Sequence, residues 1–128
     1  MLTDWRVEML AQVNEYRKQS GKSVLAMDDR LNAMAKLHSD YQASVSKMTN
    51  GDPAGELRDR ANYWGITGNI LENVAHDSGD INSAMGTLKA NDATNKHLLC
   101  DDCAIAGFGY SNGYWTQEFA QNGTVHTS

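Results

Sequence analysis

Residues 103–119 have the sequence CAIAGFGYSNGYWTQEF and decide the fold. Two runs rich in apolar and aromatic residues, Cys103–Tyr110 and Tyr114–Phe119, flank the triplet Ser111-Asn112-Gly113. Asn-Gly between two such runs is a strong signal for a tight hairpin turn, because both residues tolerate positive φ. The stretch therefore predicts two antiparallel strands joined by a short turn.

A third strand is predicted upstream, over Asn69–His76, where the side chains alternate in character with a period of two. One face of this strand carries Ile70, Glu72, Val74 and His76. A carboxylate on a strand face that packs inward is costly unless it is paired or hydrogen-bonded. Glu72 is therefore a candidate functional residue.

Four helices are predicted from apolar residues spaced three and four apart. The first begins after Thr3 or Asp4, the second after Asp28 and Asp29, the third covers Glu56–Trp64, and the fourth begins at Asp80. The second helix carries the most regular stripe, formed by Leu31, Met34, Ala35, His38, Tyr41 and Val45. We interpret His38 as a core histidine with satisfied ring nitrogens rather than as a ligand.

Helices combined with a hairpin and one separate strand predict an α+β fold, with helices packed on a small, mainly antiparallel sheet. No repeat, low-complexity tract or linker divides the 128 residues, so we expect one domain over 1–128.

Composition narrows the class of protein. Apolar residues make up 41% of the chain and charged residues 21%, which is typical of a globular domain rather than a disordered tail. Eleven basic and sixteen acidic residues give a net charge of −5, which argues against a nucleic-acid partner. No apolar run approaches the ~20 residues of a membrane span. The chain opens on a helical pattern, so we expect any targeting segment to have been removed.

Several short motifs resemble those of the CAP superfamily, which comprises cysteine-rich secretory proteins, antigen 5 and class-one pathogenesis-related proteins. The motifs are Val13–Arg17, Leu37-His38-Ser39, Leu71–Ala75, Gly107–Tyr110 and Tyr114–Phe119. Each motif alone is weak, but their order and spacing over about Trp5–Gln121 are specific, and they are closest to microbial or fungal members. The resemblance implies a three-layer α-β-α sandwich and secretion. It also implies a cavity in which two His and two Glu of many relatives hold a divalent metal.

This cavity is degenerate here. Glu72 matches the family's Glu, but Asn50 stands at the position of the first His. An ungapped count places Asn91 at the second Glu and Thr94 at the second His. Amides and a hydroxyl are poor zinc ligands, so we expect no metal and no cofactor. We interpret Glu72 as a carboxylate that orients neighbouring loops, rather than as a ligand or a base.

Two other histidines are alternative cavity residues. His97 lies three residues after Thr94, and His76 shares a strand face with Glu72. The resemblance also assigns structural roles to Asn14 and Arg17, which tie the first helix to neighbouring backbone, and to Asn73 in the Glu72 motif.

The two cysteines, Cys100 and Cys103, form a single C-x-x-C. With His97, and with Asp101 or Asp102 as a fourth ligand, they have the spacing of a zinc site. A redox role is a second alternative, although no helix opens at the motif. We expect a disulfide, as suits a secreted chain.

No Ser-His-Asp or Cys-His arrangement and no glycine-rich phosphate loop are present, so we expect no enzyme. The resemblance favours a secreted, non-catalytic protein that binds a sterol, fatty acid or other small lipid, with the first and fourth helices splaying to admit an acyl chain. The alternative is a protein–protein effector or defence molecule that acts through the loops Ser44–Gly55 and His76–Asp80. A metal-dependent hydrolase is a third hypothesis.

Overall fold

A computed structural model describes residues 4–77 and 79–122. Thr3 of the first helix cap and Ser78 of the loop His76–Asp80 lie outside the described residues. The helices are α1 Trp5–Gln19, α2 Asp29–Val45, α3 Leu57–Tyr63, α4 Ile81–Ala90 and α5 Asp92–Leu98. The strands are β1 Ala26–Met27, β2 Thr67–His76, β3 Ile105–Ser111 and β4 Tyr114–Asn122.

The four strands form one sheet in the order β1-β3-β4-β2. The β1–β3 pair is parallel, and the other two pairs are antiparallel. The predicted hairpin is confirmed: Asn112 and Gly113 turn the chain with φ of 49° and 90°, as a two-residue hairpin requires. β1 and α5 were not predicted, because two residues show no period and only Leu98 of α5 is buried.

The helices lie on both faces of the sheet and form the predicted three-layer α+β sandwich. One core, between the sheet and α2 with α3, includes Leu31, Met34, Ala61, Ile66 and Ala120. The larger core, between the sheet and α1, α4 and α5, includes Met9, Val13, Met85, Leu88, Leu98, Phe108 and Phe119. In residues 4–77 and 79–122, no helix has the length and apolar character of a membrane span.

Two glycines of β3 let α2 lie directly on the sheet. A Cβ at Gly107 would come within 2.3 Å of the Leu31 carbonyl carbon, and one at Gly109 within 2.3 Å of that of Ala35. These contacts are much closer than packed atoms allow, so a side chain at either position would push α2 away. The close approach brings the polar residues of α2 onto the centre of β4.

The predicted stripe of α2 is therefore wrong at its C-terminal end. Val45 is 44% exposed, while Ser39 and Gln42 are fully buried. Their side chains hydrogen-bond to Thr116 Oγ1 of β4, at 2.8 and 3.1 Å. Because Thr116 in the middle of β4 is polar, the residues of α2 that pack on it are polar too. A search for apolar spacing along α2 does not find such residues.

Candidate functional site

Two glutamates face each other across neighbouring strands under α2 and α3. Glu72 of β2 and Glu118 of β4 are directly paired in the sheet register. The Glu72 side chain is 1% exposed, and Glu118 is fully buried. Two buried carboxyl groups in contact cannot both be ionised without strong repulsion, so their neighbours decide how charge is distributed.

Arg60 of α3 supplies the counter-charge for Glu72. Its Nη1 and Nη2 donate to the two carboxylate oxygens at 2.9 and 3.1 Å. Nε and Nη2 also donate to the carbonyls of Gly55 and Asn50, at 3.2 and 3.4 Å, and Asn50 Nδ2 donates to Glu72 Oε1 at 3.2 Å. Glu72 therefore holds α3 and the preceding loop against the sheet, which is the orienting role interpreted from the sequence.

Glu118 is the second carboxyl group of the pair. No group among the described residues donates a hydrogen bond to either of its carboxyl oxygens. Burial, the charge of Glu72 and a hydrogen bond with Glu72 raise the pKa of Glu118 well above its usual value. Burial opposes ionisation of Glu72 too, but hydrogen bonds with Glu118 and Arg60 outweigh it and lower the pKa of Glu72. Of the two carboxyl groups, Glu118 is therefore the one whose neutral form the fold favours, and Glu72 is the one whose ionised form it favours.

His38 of α2 adjoins the same pair and is fully buried. Its Nδ1 lies 2.8 Å from Asp52 Oδ2, and its Nε2 lies 2.7 Å from the Thr49 carbonyl oxygen and 3.7 Å from Glu72 Oε1. Both ring nitrogens are satisfied within the protein, which confirms the prediction of a core histidine. Together His38, Asp52, Arg60, Glu72 and Glu118 form what we call the buried charge cluster.

In front of Glu72 lies a cavity of about 730 Å³, the Glu72 cavity. Asn50, Glu72 and His97 line it, together with Gly51, Asp52, Gly55, Glu56, Leu57, Asp59, Ile70 and Leu71. His97 Nδ1 is 2.8 Å from Asn73 Oδ1, and burial lowers the pKa of His97. The Asn73 side chain in turn donates to the Thr94 carbonyl and to Gln117 Oε1, both at 3.1 Å.

Three of the six residues predicted for the cavity do not line it. Asn91 is the N-cap of α5, and its Oδ1 accepts from the amides of Ala93 and Thr94. Thr94 donates through Oγ1 to the Leu88 carbonyl at 2.6 Å. His76 is exposed at the far end of β2, where its ring stacks on Tyr114 with centroids 4.1 Å apart. The ungapped count did not allow for α5. At the start of this helix the Asn91 and Thr94 side chains are already engaged in hydrogen bonds to backbone groups.

The residues present do not fit the divalent metal that the fold family implies. Both oxygens of Glu72 are bound to a guanidinium, and Asn91 and Thr94 serve as helix caps. Asn50 offers an amide and His97 a half-buried imidazole, a weak set for Zn²⁺.

We therefore expect calorimetric titration of the protein with Zn²⁺ at pH 7.5 to show no saturable site. Both carboxylate oxygens of Glu72 already accept hydrogen bonds from the Arg60 guanidinium, whose positive charge also repels a cation. Glu72→Gln is the control and should leave the titration unchanged. One-site binding at micromolar affinity that disappears in Glu72→Gln would contradict this expectation.

The remaining sequence-selected residues occupy structural positions. Cys100 and Cys103 are joined in a disulfide, which leaves no thiolate for a metal. Asn14 exchanges hydrogen bonds with the backbone of Leu25, at 2.9 and 2.7 Å. Arg17 is fully buried and donates to the carbonyls of Ser23 and Leu98, at 2.7 and 2.9 Å.

A second concavity of about 420 Å³ lies between α2 and α3, and we call it the α2–α3 groove. Its walls are Met34, Leu37, Ala54, Tyr63 and Trp64, with Asp52 and Arg60 as its charged members. Leu37 is 57% exposed and Tyr63 is 81% exposed, and the Tyr63 and Trp64 rings meet edge to face. The groove is thus an apolar surface open to solvent.

Sequence analysis did not single out Arg60, Asp52 or Glu118 as site residues. Arg60 lies three residues after Leu57, on the buried face of the predicted third helix, and an arginine there signals an internal partner. Glu118 lies in the middle of a strand whose residues are buried on both faces, so alternation gives no warning.

The fold is that of a known class. The family model described as "Cysteine-rich secretory protein family" (CAP) matches residues 10–122, and the chain belongs to this family. Solved structures with the same fold include an extracellular protein containing an SCP domain from Bacillus anthracis, with a TM-score of 0.86 and 22% identity. It aligns with 91% of this chain and 40% of its own length.

Two further structures share the fold. A cysteine-rich secretory protein from Staphylococcus aureus has a TM-score of 0.75 and 19% identity, with 91% of this chain and 38% of that protein covered. An outer surface protein from Borrelia burgdorferi has a TM-score of 0.78 and 15% identity, with 88% and 89% covered. The chain thus spans about two fifths of the first two proteins. No curated protein matches it significantly.

Proposed function

We propose that this chain is a secreted, non-catalytic CAP domain that binds a sterol or another small lipid in the α2–α3 groove. The observation that carries the proposal is the groove itself. Its volume of about 420 Å³ lies in the range of small-molecule sites, and its walls are mostly apolar and aromatic. The exposed Leu37 and Tyr63 gain most by being covered, because burying a large apolar side chain contributes ~1.5–3 kcal/mol.

The groove replaces the acyl site expected between the first and fourth helices. Met9 and Val13 of α1 pack in one core with Met85 and Leu88 of α4, and all four are at most 2% exposed. Gln12 Nε2 also donates to Asn82 Oδ1 at 2.6 Å across the two helices. Opening them would expose a core, whereas the α2–α3 groove is already open.

Two features support the remaining parts of the proposal. A general acid or base must reach a substrate proton within hydrogen-bond distance, and the carboxyl groups of Glu72 and Glu118 are buried beneath Arg60, Asn50 and each other. A disulfide is typical of proteins from oxidising compartments, which favours secretion.

Binding of a labelled sterol, competed by unlabelled sterol and by fatty acid, tests the proposal. We expect saturable, competed binding that weakens about tenfold or more in Leu37→Ser, since the groove loses an apolar wall. Val7→Ser is the matched control, because Val7 is also an exposed aliphatic residue of a helix, at 53%.

Absence of binding by folded protein would contradict the proposal, and equal weakening by Leu37→Ser and Val7→Ser would place the site elsewhere. Absence of lipid binding would instead favour a protein–protein effector. The supporting observation is that Val45 and Met48, within Ser44–Gly55, are 44% and 50% exposed.

A further inference from the structure

This inference deepens the proposed function and rests on it. The charged side chains that line the α2–α3 groove are Asp52 and Arg60, and each is nearly buried at the groove floor. A ligand whose apolar part lies along Leu37 and Trp64 must place its polar head where these two side chains are, or leave it in solvent. Their hydrogen-bonding state therefore decides which heads are accepted.

Arg60 has no unmatched positive charge to offer. Glu72 accepts from it through both oxygens, at 2.9 and 3.1 Å, and the carbonyls of Gly55 and Asn50 accept from it as well. A guanidinium has five N–H groups, and these contacts take four of them. One N–H of Nη1 remains without a partner among the described residues, and it can donate to a neutral oxygen.

Asp52 also has hydrogen-bond partners within the protein, but its carboxylate can accept further hydrogen bonds. Oδ2 lies 2.8 Å from His38 Nδ1, and Oδ1 accepts from the Ala54 amide at 2.8 Å. Each carboxylate oxygen has two lone pairs, so each oxygen of Asp52 can accept one more hydrogen bond. Its negative charge lies close enough to Arg60 to favour the charged form of that guanidinium.

We propose that the α2–α3 groove selects amphiphiles with an uncharged hydroxyl head over those with a carboxylate, and that Asp52 and Arg60 determine this specificity. A hydroxyl accepts from the free N–H of Arg60 and donates to Asp52. A carboxylate meets the charge of Asp52 and competes with Glu72 for Arg60. The carboxylate head loses water without gaining a full counter-charge, which is costly in a nearly buried site. An ammonium head, by contrast, is attracted by the Asp52 carboxylate.

Three twelve-carbon amphiphiles test the proposal, because dodecanol, dodecanoate and dodecylamine differ only in their heads. Binding is followed below micellar concentrations at pH 7.5 by the fluorescence of Trp64, which lines the groove. Trp64→Phe checks that the signal arises there. We expect the Kd of dodecanol to be about tenfold or more below that of dodecanoate, as expected for one unfavourable charge contact near the surface, whereas dodecylamine, which Asp52 attracts, should not show this loss.

The variant Asp52→Asn tests the assigned residue, since it removes the charge and keeps an oxygen for His38 Nδ1 or Ala54 N. We expect dodecanoate to gain about tenfold in affinity while dodecanol changes much less. Asp40→Asn in α2 is the control, because Asp40 pairs with Lys36 and does not line the groove. It should leave the ratio of the two affinities unchanged.

The outcomes separate the two proposals. Dodecanoate binding as tightly as dodecanol, or an unchanged ratio in Asp52→Asn, overturns the head-group specificity while lipid binding stands. If none of the three ligands perturbs Trp64 in folded protein, the lipid-binding function of the groove fails, and the specificity fails with it. Should Asp52→Asn not fold, the comparison of the three ligands on the natural chain still decides.

Discussion

Replacing Arg60 with methionine is expected to lower the free energy of unfolding by about 3–5 kcal/mol at pH 7. The substitution keeps the apolar stem of the side chain but leaves the Glu72 carboxylate buried without its counter-ion. It also frees the carbonyls of Gly55 and Asn50, so α3 and its preceding loop lose their attachment to β2. Urea-induced unfolding, followed by circular dichroism, measures the change.

Arg58→Met is the matched control, because Arg58 belongs to the same helix but is exposed and donates only to neutral oxygens, those of Asn62, Ile66 and Gly68. Its loss should cost much less, in keeping with surface positions. The double variant Arg60→Met/Glu72→Gln should recover part of the lost stability, since it removes the unpaired charge. Two results would show that Arg60 is not the counter-ion of Glu72. One is equal stability of Arg60→Met and Arg58→Met, and the other is a double variant that recovers no stability.

Replacing Glu118 with glutamine is expected to stabilise the protein increasingly as the pH rises. In the unfolded chain Glu118 releases its proton near its ordinary pKa of 4.5, whereas burial and Glu72 raise its pKa in the fold. Between these two pKa values the folded state holds the extra proton, so the stability of the natural protein falls with rising pH. Glutamine does not ionise, so the variant lacks this pH dependence.

The measurement is the difference in unfolding free energy between Glu118→Gln and the natural protein at pH 4.5, 6 and 8. We expect this difference to shift in favour of the variant by at least about 1.4 kcal/mol across the range, the free energy of one pKa unit. Glu15→Gln on the exposed face of α1 should show no such trend. A difference that is constant with pH would mean that Glu118 titrates as an ordinary carboxyl group.

Much of the architecture follows from local sequence signals. The Asn112-Gly113 turn, the apolar spacing of the helices and the capping aspartates each act over a few residues, and these elements appear where predicted. The elements that were missed have weak local signals. β1 is two residues long and pairs with β3 only because the chain returns there, and α5 presents one buried side chain.

The candidate site was only half predictable. Glu72 was recognised from its motif, and His38 was correctly interpreted as a core residue. Residues Asn91 and Thr94 were assigned by counting along the chain, and the first turn of α5 uses their side chains for capping. A count along the sequence assumes that the backbone follows the same course as in the relatives. The short helix α5, which was not predicted, makes that assumption unsafe.

By itself, the sequence determined the α+β class, the hairpin and the family, because these depend on residue identity and on short spacings. Only the tertiary structure decided which charges meet. Glu118 and Glu72 are 46 residues apart in the numbering and become neighbours through sheet register, and Arg60 reaches them from a helix on one face. The raised pKa of Glu118, the pairing of Glu72 with Arg60 and the charges at the α2–α3 groove follow from that meeting, since burial and proximity set the energy of a charge.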